Sequence, residues 1–330
     1  MSPAPQADRS RLEWLDLFRG TAVVLMIETH VANTTLTESA QQSWWFARLS
    51  YANGLVAPAF LLIAGYVMAL GMRRSSAPGA FPWKKLRRLG SVALIGYALH
   101  FPWPALGRGL SIEFLRLAST VDVLQCLAVS LGTLVLVQHF ARRYTLPVVG
   151  LLLLAAVFAA PLSPAWRTGF PPVDAYLNGA NGSLFPLFPW AGFVFGGYLM
   201  TALGLRWRLH LPAAGILMLG AFLLPNVEPA AIEPAFFFER LACLVLLIPC
   251  FAAARDWMRP RVLLLAGRES LAMYVVHLLI LHIDLAGFGI AARLGKTLSP
   301  AAAAVLFCTV LAATLGIAWL YGMWKTLRKR

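Results

Sequence analysis

A chain of 330 residues with 59% hydrophobic and only 13% charged residues, and a mean hydropathy of +0.71, is too apolar for a soluble domain and reads as an integral membrane protein. Its net charge of +14 does not point to nucleic acid, because the basic residues fall in short runs between apolar stretches, the pattern that orients membrane proteins. Cys126, Cys243, Cys250 and Cys308 all lie in apolar stretches, where packing as small hydrophobes is expected rather than disulfides or metal ligation.

Residues 1–14 form a short polar tail without a small-residue cleavage site after the stretch that follows, so no removable signal peptide is expected. The first apolar stretch, Leu15 to Thr34, is long enough to cross a bilayer as a helix, yet it carries Asp16, Arg19, Glu28, His30 and Asn33. Titratable groups inside a span are costly and normally face a protein interior, where they mark a site. Arg19 and His30 are eleven positions apart, which places them about 20° past three full helical turns and roughly 16 Å apart along the axis. They share a face with Asn33, whereas Glu28 points away from Arg19. One stripe therefore sets a fixed cation near one end of the helix and an imidazole near the other.

Hydrophobic windows predict an all-α polytopic bundle of about ten spans, near 15–34, 55–72, 87–106, 121–140, 146–160, 184–203, 210–225, 237–254, 268–290 and 301–321. They make a single transmembrane domain over 15–324, followed by a basic tail at 325–330. Most of the 28 Lys and Arg fall in alternate connections and in both tails, which places both termini in the cytoplasm and His30 in the outer half of its helix. The longest outer connection, Pro161 to Ser183, carries Trp166, Arg167, Asp174, Tyr176, Asn178 and Asn181. Such a set could bind a sugar or could equally be an interfacial belt with turn residues.

Three further stretches are polar where a lipid-facing helix should not be. The fourth span opens Asp122-Val-Leu-Gln125, where Asp122 either orients an imidazole or caps the helix. The sixth opens with Pro186 and Pro189 and continues through Gly192, Gly196 and Gly197, which suits close helix contact. The ninth reads Gly267-Arg-Glu-Ser-Leu-Ala-Met-Tyr-Val-Val-His277, so that Ser270, Tyr274 and His277 follow one helical face, with His282 and Asp284 beyond. A site role is favoured for His277, and helix bridging by hydrogen bonds for His100 and His139. No metal signature is present: apart from His277 and His282 the histidines fall on different helices, and neither an HExxH nor a CxxC pattern occurs. The cluster Arg73, Arg74, Lys84, Lys85, Arg87 and Arg88 either determines topology beside anionic lipid or contacts a phosphorylated ligand.

The stretch LDLFRG followed by His30, with Phe60-Leu-Leu-Ile-Ala-Gly-Tyr66, Asp122-Val-Leu-Gln125, Phe185-Pro-Leu-Phe-Pro-Trp190 and Gly267 to His277, resembles the transmembrane acyltransferases. The chain looks closest to the heparan-α-glucosaminide N-acetyltransferase-like branch and is similar in outline to the acyltransferase-3 group. In one departure, the lysosomal enzyme of that branch has an asparagine where this chain has His30 and carries its active histidine in the loop that follows. The resemblance implies acyl-CoA, most simply acetyl-CoA, as a cytoplasmic co-substrate with no tightly bound cofactor, and a glycan or related polar acceptor. It implies His30 as general base or covalent carrier, with Arg19, Asp122 and His277 in the catalytic set. Arg19 is expected to pair with a phosphate or to fix Asp16, and it stands in a donor-binding set with Arg73, Arg74, Arg87 and Arg88. Membrane lipids are expected partners, nucleic acid is not, and homodimerisation stays open. The expected location is the bacterial inner membrane. The rival reading is a transporter or flippase of a polar or anionic solute that uses Arg19, Glu28 and His30 as its path.

Overall fold

The computed structural model describes residues 6–74, 81–102, 109, 111–179, 182–224, 233–254, 257, 260–282 and 289–328, with the side chains of 6–12 and 72–74 left aside. Every regular element among them is helical, and Leu36 and Leu298 form one isolated parallel bridge. In chain order the helices are α1 (Gln6–Thr35), α2 (Glu38–Gln41), α3 (Trp44–Asn53), α4 (Val56–Arg74), α5 (Trp83–Leu99), α6 (Ile112–Ala118), α7 (Val123–Ala141) and α8 (Thr145–Phe158). They continue with α9 (Pro171–Leu177), α10 (Leu187–Ala202), α11 (His210–Leu223), α12 (Pro234–Ala254), α13 (Arg261–Arg268), α14 (Ser270–His282), α15 (Ile290–Leu294) and α16 (Pro300–Leu327).

Helices among the described residues overlap the ten expected windows, but fewer are long and apolar enough to cross a membrane, and the third, seventh and ninth windows run partly outside the described residues. Four helical stretches among the described residues are long and apolar enough to cross a membrane: Trp44–Gly71, Val123–Phe158, Pro234–Ala254 and Pro300–Leu327. A fifth results if α13 and α14, which meet at an 88° bend, are taken as one broken span. Leu187–Ala202 and Trp207–Leu223 are apolar but shorter. In hydrocarbon a polar side chain gains by bonding within its own helix. Hydroxyls in mid-helix return to the carbonyl one turn back, as in Thr29 to Leu25 (2.7 Å), Thr35 to Val31 (2.7 Å) and Ser130 to Cys126 (2.7 Å). The helix starts follow capping rules, with Ser43, Ser111 and Ser299 each accepting a backbone N–H of the first turn. Among the described residues no disulfide joins the cysteines, and Cys126 is fully buried.

The polypeptide forms two compact units, one from Met1–Val56 and Leu247–Arg330, the other from Ala57–Leu246. The same device holds helices together inside each. In the first, a Cβ on Gly20 of α1 would stand 1.9 Å from the Leu263 carbonyl oxygen of α13, and one on Gly267 of α13 would stand 1.9 Å from the Asp16 carbonyl oxygen of α1. In the second, Gly65 of α4 meets the Val194 carbonyl of α10 and Gly197 of α10 meets the Leu62 carbonyl of α4, at the same 1.9 Å. Each pair is reciprocal, so the two backbones lie against one another with no side chain between them. In the first unit this contact seats α1, and the polar stripe it carries, against α13 and the start of α14.

Candidate functional site

The two polar faces read from sequence meet inside the first unit. Arg19 of α1 donates to the Ser270 hydroxyl at the start of α14 (2.5 Å), and His30, three turns on, faces His277 with its Nδ1 3.4 Å from His277 Nε2. The rings cross edge to face with centroids 5.0 Å apart. Tyr274 packs its edge on His277 at 5.7 Å and His282 approaches His30 at 5.9 Å. His277 is fully buried, whereas His30 keeps part of its surface open.

Backbone carbonyls set the tautomers, since a carbonyl can only accept. His30 Nδ1–H donates to the Met26 carbonyl (2.8 Å) and His277 Nδ1–H donates to the Met273 carbonyl (2.9 Å). In the neutral rings the lone pairs therefore sit on Nε2 of each histidine. His277 directs its lone pair toward His30, and His30 carries its own on the far side of the ring. Glu28 takes no part: it turns to Asn53, whose Nδ2 donates to Glu28 Oε2 (2.8 Å).

At the other end of the stripe, charged groups gather at the bend between α13 and α14. Arg268 Nε donates to Asp16 Oδ2 (3.2 Å), and Lys325 of α16 bonds both carboxylate oxygens of Glu269 (2.6 and 2.7 Å). Arg19 lies beside Asp16, and its fork holds donors beyond the one given to Ser270. Arg268 and Glu269 stood in the stretch quoted from the sequence. Lys325 had read only as part of a basic tail, and no periodicity could have paired it with a residue 56 positions away.

In the second unit Asp122 opens α7 at the capping position but makes no side-chain cap; its Oδ2 faces His100 Nε2 at 3.1 Å. His100 Nδ1 donates to the Gly96 carbonyl (3.2 Å), so both ring nitrogens face acceptor oxygens and the ring ties the end of α5 to the start of α7. The imidazole that Asp122 reaches is thus His100. Gln125, fully buried one turn on, lies over Gly96, where a Cβ would come within 2.5 Å of its amide. His139 packs edge-on against Phe81 and Phe140.

Several polar groups of the connection from 161 to 183 are hydrogen-bonded within it or to α5. Asp174 Oδ1 accepts from the Thr168 N–H (2.6 Å) and hydroxyl (2.7 Å), and these bonds hold its carboxyl below the usual carboxylate range. Asn178 donates to the Trp166 carbonyl (2.7 Å), while Tyr176 shares a hydrogen bond with Tyr97 (2.8 Å), its phenol pushed up by burial and by that neighbour. Arg87 and Arg88 lie exposed on α5 with Lys84 and Lys85. Arg73 and Arg74 close α4, but their side chains and Asn181 and Asp284 lie outside the described residues. Among the described residues no group of three His, Cys, Asp or Glu is placed to hold a metal ion.

Apolar helices on this scale, enclosing an imidazole pair and an arginine in one unit, define an all-helical membrane protein with a polar site built between its helices. The family is shown by the sequence: residues 11–221 match the model of the heparan-α-glucosaminide N-acetyltransferase catalytic domain, and the chain belongs to that family of membrane acetyltransferases. The match takes in Arg19, His30 and Asp122; Ser270, Tyr274 and His277 lie beyond it. No curated protein matches the chain.

Proposed function

We propose that the protein is an acyl-CoA-dependent acyltransferase of the bacterial inner membrane that moves an acyl group, most simply acetyl, onto a carbohydrate or related polar acceptor. One observation carries the reading: Arg19 and His30 face Ser270 and His277 across α1 and α14, an anion-binding group and a proton acceptor on a single stripe. His30 Nε2 removes the proton from the acceptor hydroxyl or amine as that atom attacks the thioester carbonyl, work worth on the order of 10² to 10⁴ in rate. Arg19 lies too far along the axis to touch the same atom and holds an anionic part of the donor, with the pantetheine arm reaching the gap. Ten spans and two cytoplasmic termini complete the proposal, with acyl-CoA entering from the cytoplasm beside the basic cluster of α4 and α5.

The experiment is a comparison of thiol release from acetyl-CoA by purified protein with and without a panel of amino and neutral sugars. Acceptor-dependent release of free CoA supports the reading, and none with any sugar ends it. Charge reversal at Arg87 and Arg88 should raise the KM for acetyl-CoA while leaving kcat near wild type, because binding shared by ground and transition states is what is lost. An unchanged KM would return both residues to a topological role.

A further inference from the structure

We propose that His277 is a positioning residue that stays neutral throughout turnover: it accepts the Nδ1–H of His30 and so makes His30 Nε2 the nitrogen that takes and returns one proton. The chemistry rests on the acyl-transfer reading; the arrangement itself does not.

His277 Nδ1–H is committed to the Met273 carbonyl, so its Nε2, 3.4 Å from His30 Nδ1, presents a lone pair to a hydrogen that His30 already shares with the Met26 carbonyl. When His30 gains a proton at Nε2, its Nδ1–H becomes part of a cation and both acceptors bind it more strongly. A carboxylate in the place of His277 would do this with a charge; an imidazole does it with a dipole.

Burial decides where the proton stays. Passing it on to His277 would create an imidazolium with no exposed surface between apolar helices, whereas on His30 the charge sits on a ring that is partly open. Burying an ion costs several kcal/mol even after relaxation. The pair therefore works as a shuttle for one proton and not as a relay. The acceptor O–H or N–H bond breaks as the new bond to the acyl carbon forms, and the proton goes to His30 Nε2. The C–S bond then breaks and the departing CoA sulfur takes the same proton, leaving His30 neutral.

Other titratable groups of these helices have contacts of their own, among them Asp16 with Arg268. The His282 ring also approaches His30, with centroids 5.9 Å apart, and Tyr274 packs against His277. Arg19 is held at Ser270, Glu28 turns to Asn53, and Lys325 of α16 is clasped to Glu269. His277 presents its lone pair to His30 Nδ1 at 3.4 Å.

The test needs no turnover. Diethyl pyrocarbonate modifies the unprotonated nitrogen of an imidazole, so the extent of His30 modification, followed by peptide mass spectrometry on the purified full chain across about pH 5 to 9, titrates that nitrogen. His277→Leu keeps the volume and removes the acceptor, and should lower the pH of half-modification by about one unit. His277→Gln restores an acceptor and should return it close to wild type, while His277→Glu should raise it by adding a charge. If the leucine variant does not fold, the separation between the glutamine and glutamate variants carries the same comparison. Coincident profiles for all folded variants, or a glutamine variant that behaves like leucine, would overturn the assignment. Where acetyl transfer is measurable, His277→Leu should lower kcat about tenfold with KM for acetyl-CoA unchanged. A protein that transfers acetyl to no sugar yet shows these shifts would lose the proposed function and keep the histidine pair.

Discussion

His30→Ala should insert into the membrane, unfold within several degrees of the wild-type temperature, bind acetyl-CoA with unchanged affinity and lose at least two orders of magnitude in turnover. The expected split follows from where the ring sits. Its Nδ1–H bonds a carbonyl of its own helix and its edge meets His277, while no interhelical contact of the α1–α13 seam runs through it. Removal takes away a lone pair and the ring contacts with His277 and His282, but leaves the α1–α13 seam in place. A histidine with a structural role would give the opposite pattern, a lowered unfolding temperature with kcat kept in the protein that remains. The measurement is a pair of curves on one preparation, thermal unfolding and initial rate, and only the rate should collapse.

Gly267→Ala should be the most damaging single methyl group in the first unit. Its Cβ would lie 1.9 Å from the Asp16 carbonyl oxygen and 2.8 Å from the Asp16 Cα, atoms of a helix backbone that cannot rotate aside. The helices must part, which forfeits the reciprocal contact at Gly20 as well, and overpacking of this kind costs about 3 kcal/mol. Parting α1 from α13 also draws Arg19 from Ser270 and Asp16 from Arg268, so any protein that folds should show a raised KM for acetyl-CoA. Gly90→Ala on α5 is the control, since nothing lies within 4 Å of a Cβ there. Thermal unfolding in detergent should separate the two variants by several degrees; equal midpoints would mean that the seam is softer than its geometry.

Much of this site could be read from the chain because helical periodicity is local. The stripe Arg19–His30 and the face Ser270–Tyr274–His277 each follow from spacing along one helix, and each proves to hold the residues that face the other. That they face each other does not follow, because the partners are separated by 251 and 247 positions and no pattern in either helix names the other. The glycines that bring the helices together were visible in LDLFRG and in the Gly267 stretch. Reciprocal backbone contact, however, leaves no periodic trace when each helix contributes a single glycine. Asp122 illustrates the limit from the other side. Its position at a helix start suited a cap and its charge suited an imidazole, and tertiary packing, which places His100 3.1 Å away, decided between them. The ninth span read as one continuous helix because its hydrophobicity is continuous. The 88° bend is at Glu269, where Gly267 lays α13 on α1 and Lys325 clasps the carboxylate, both long-range interactions.

The central claim is that this membrane protein breaks a thioester and does not merely carry a solute across the bilayer. Proteoliposomes that contain the purified chain, supplied with radiolabelled acetyl-CoA on one face and a sugar acceptor on the other, test it most directly. The account predicts labelled, acetylated sugar and free CoA in equal amounts, both abolished in His30→Ala liposomes of equal protein content. Unmodified sugar or intact acetyl-CoA appearing on the opposite face, with no free thiol formed, would contradict it.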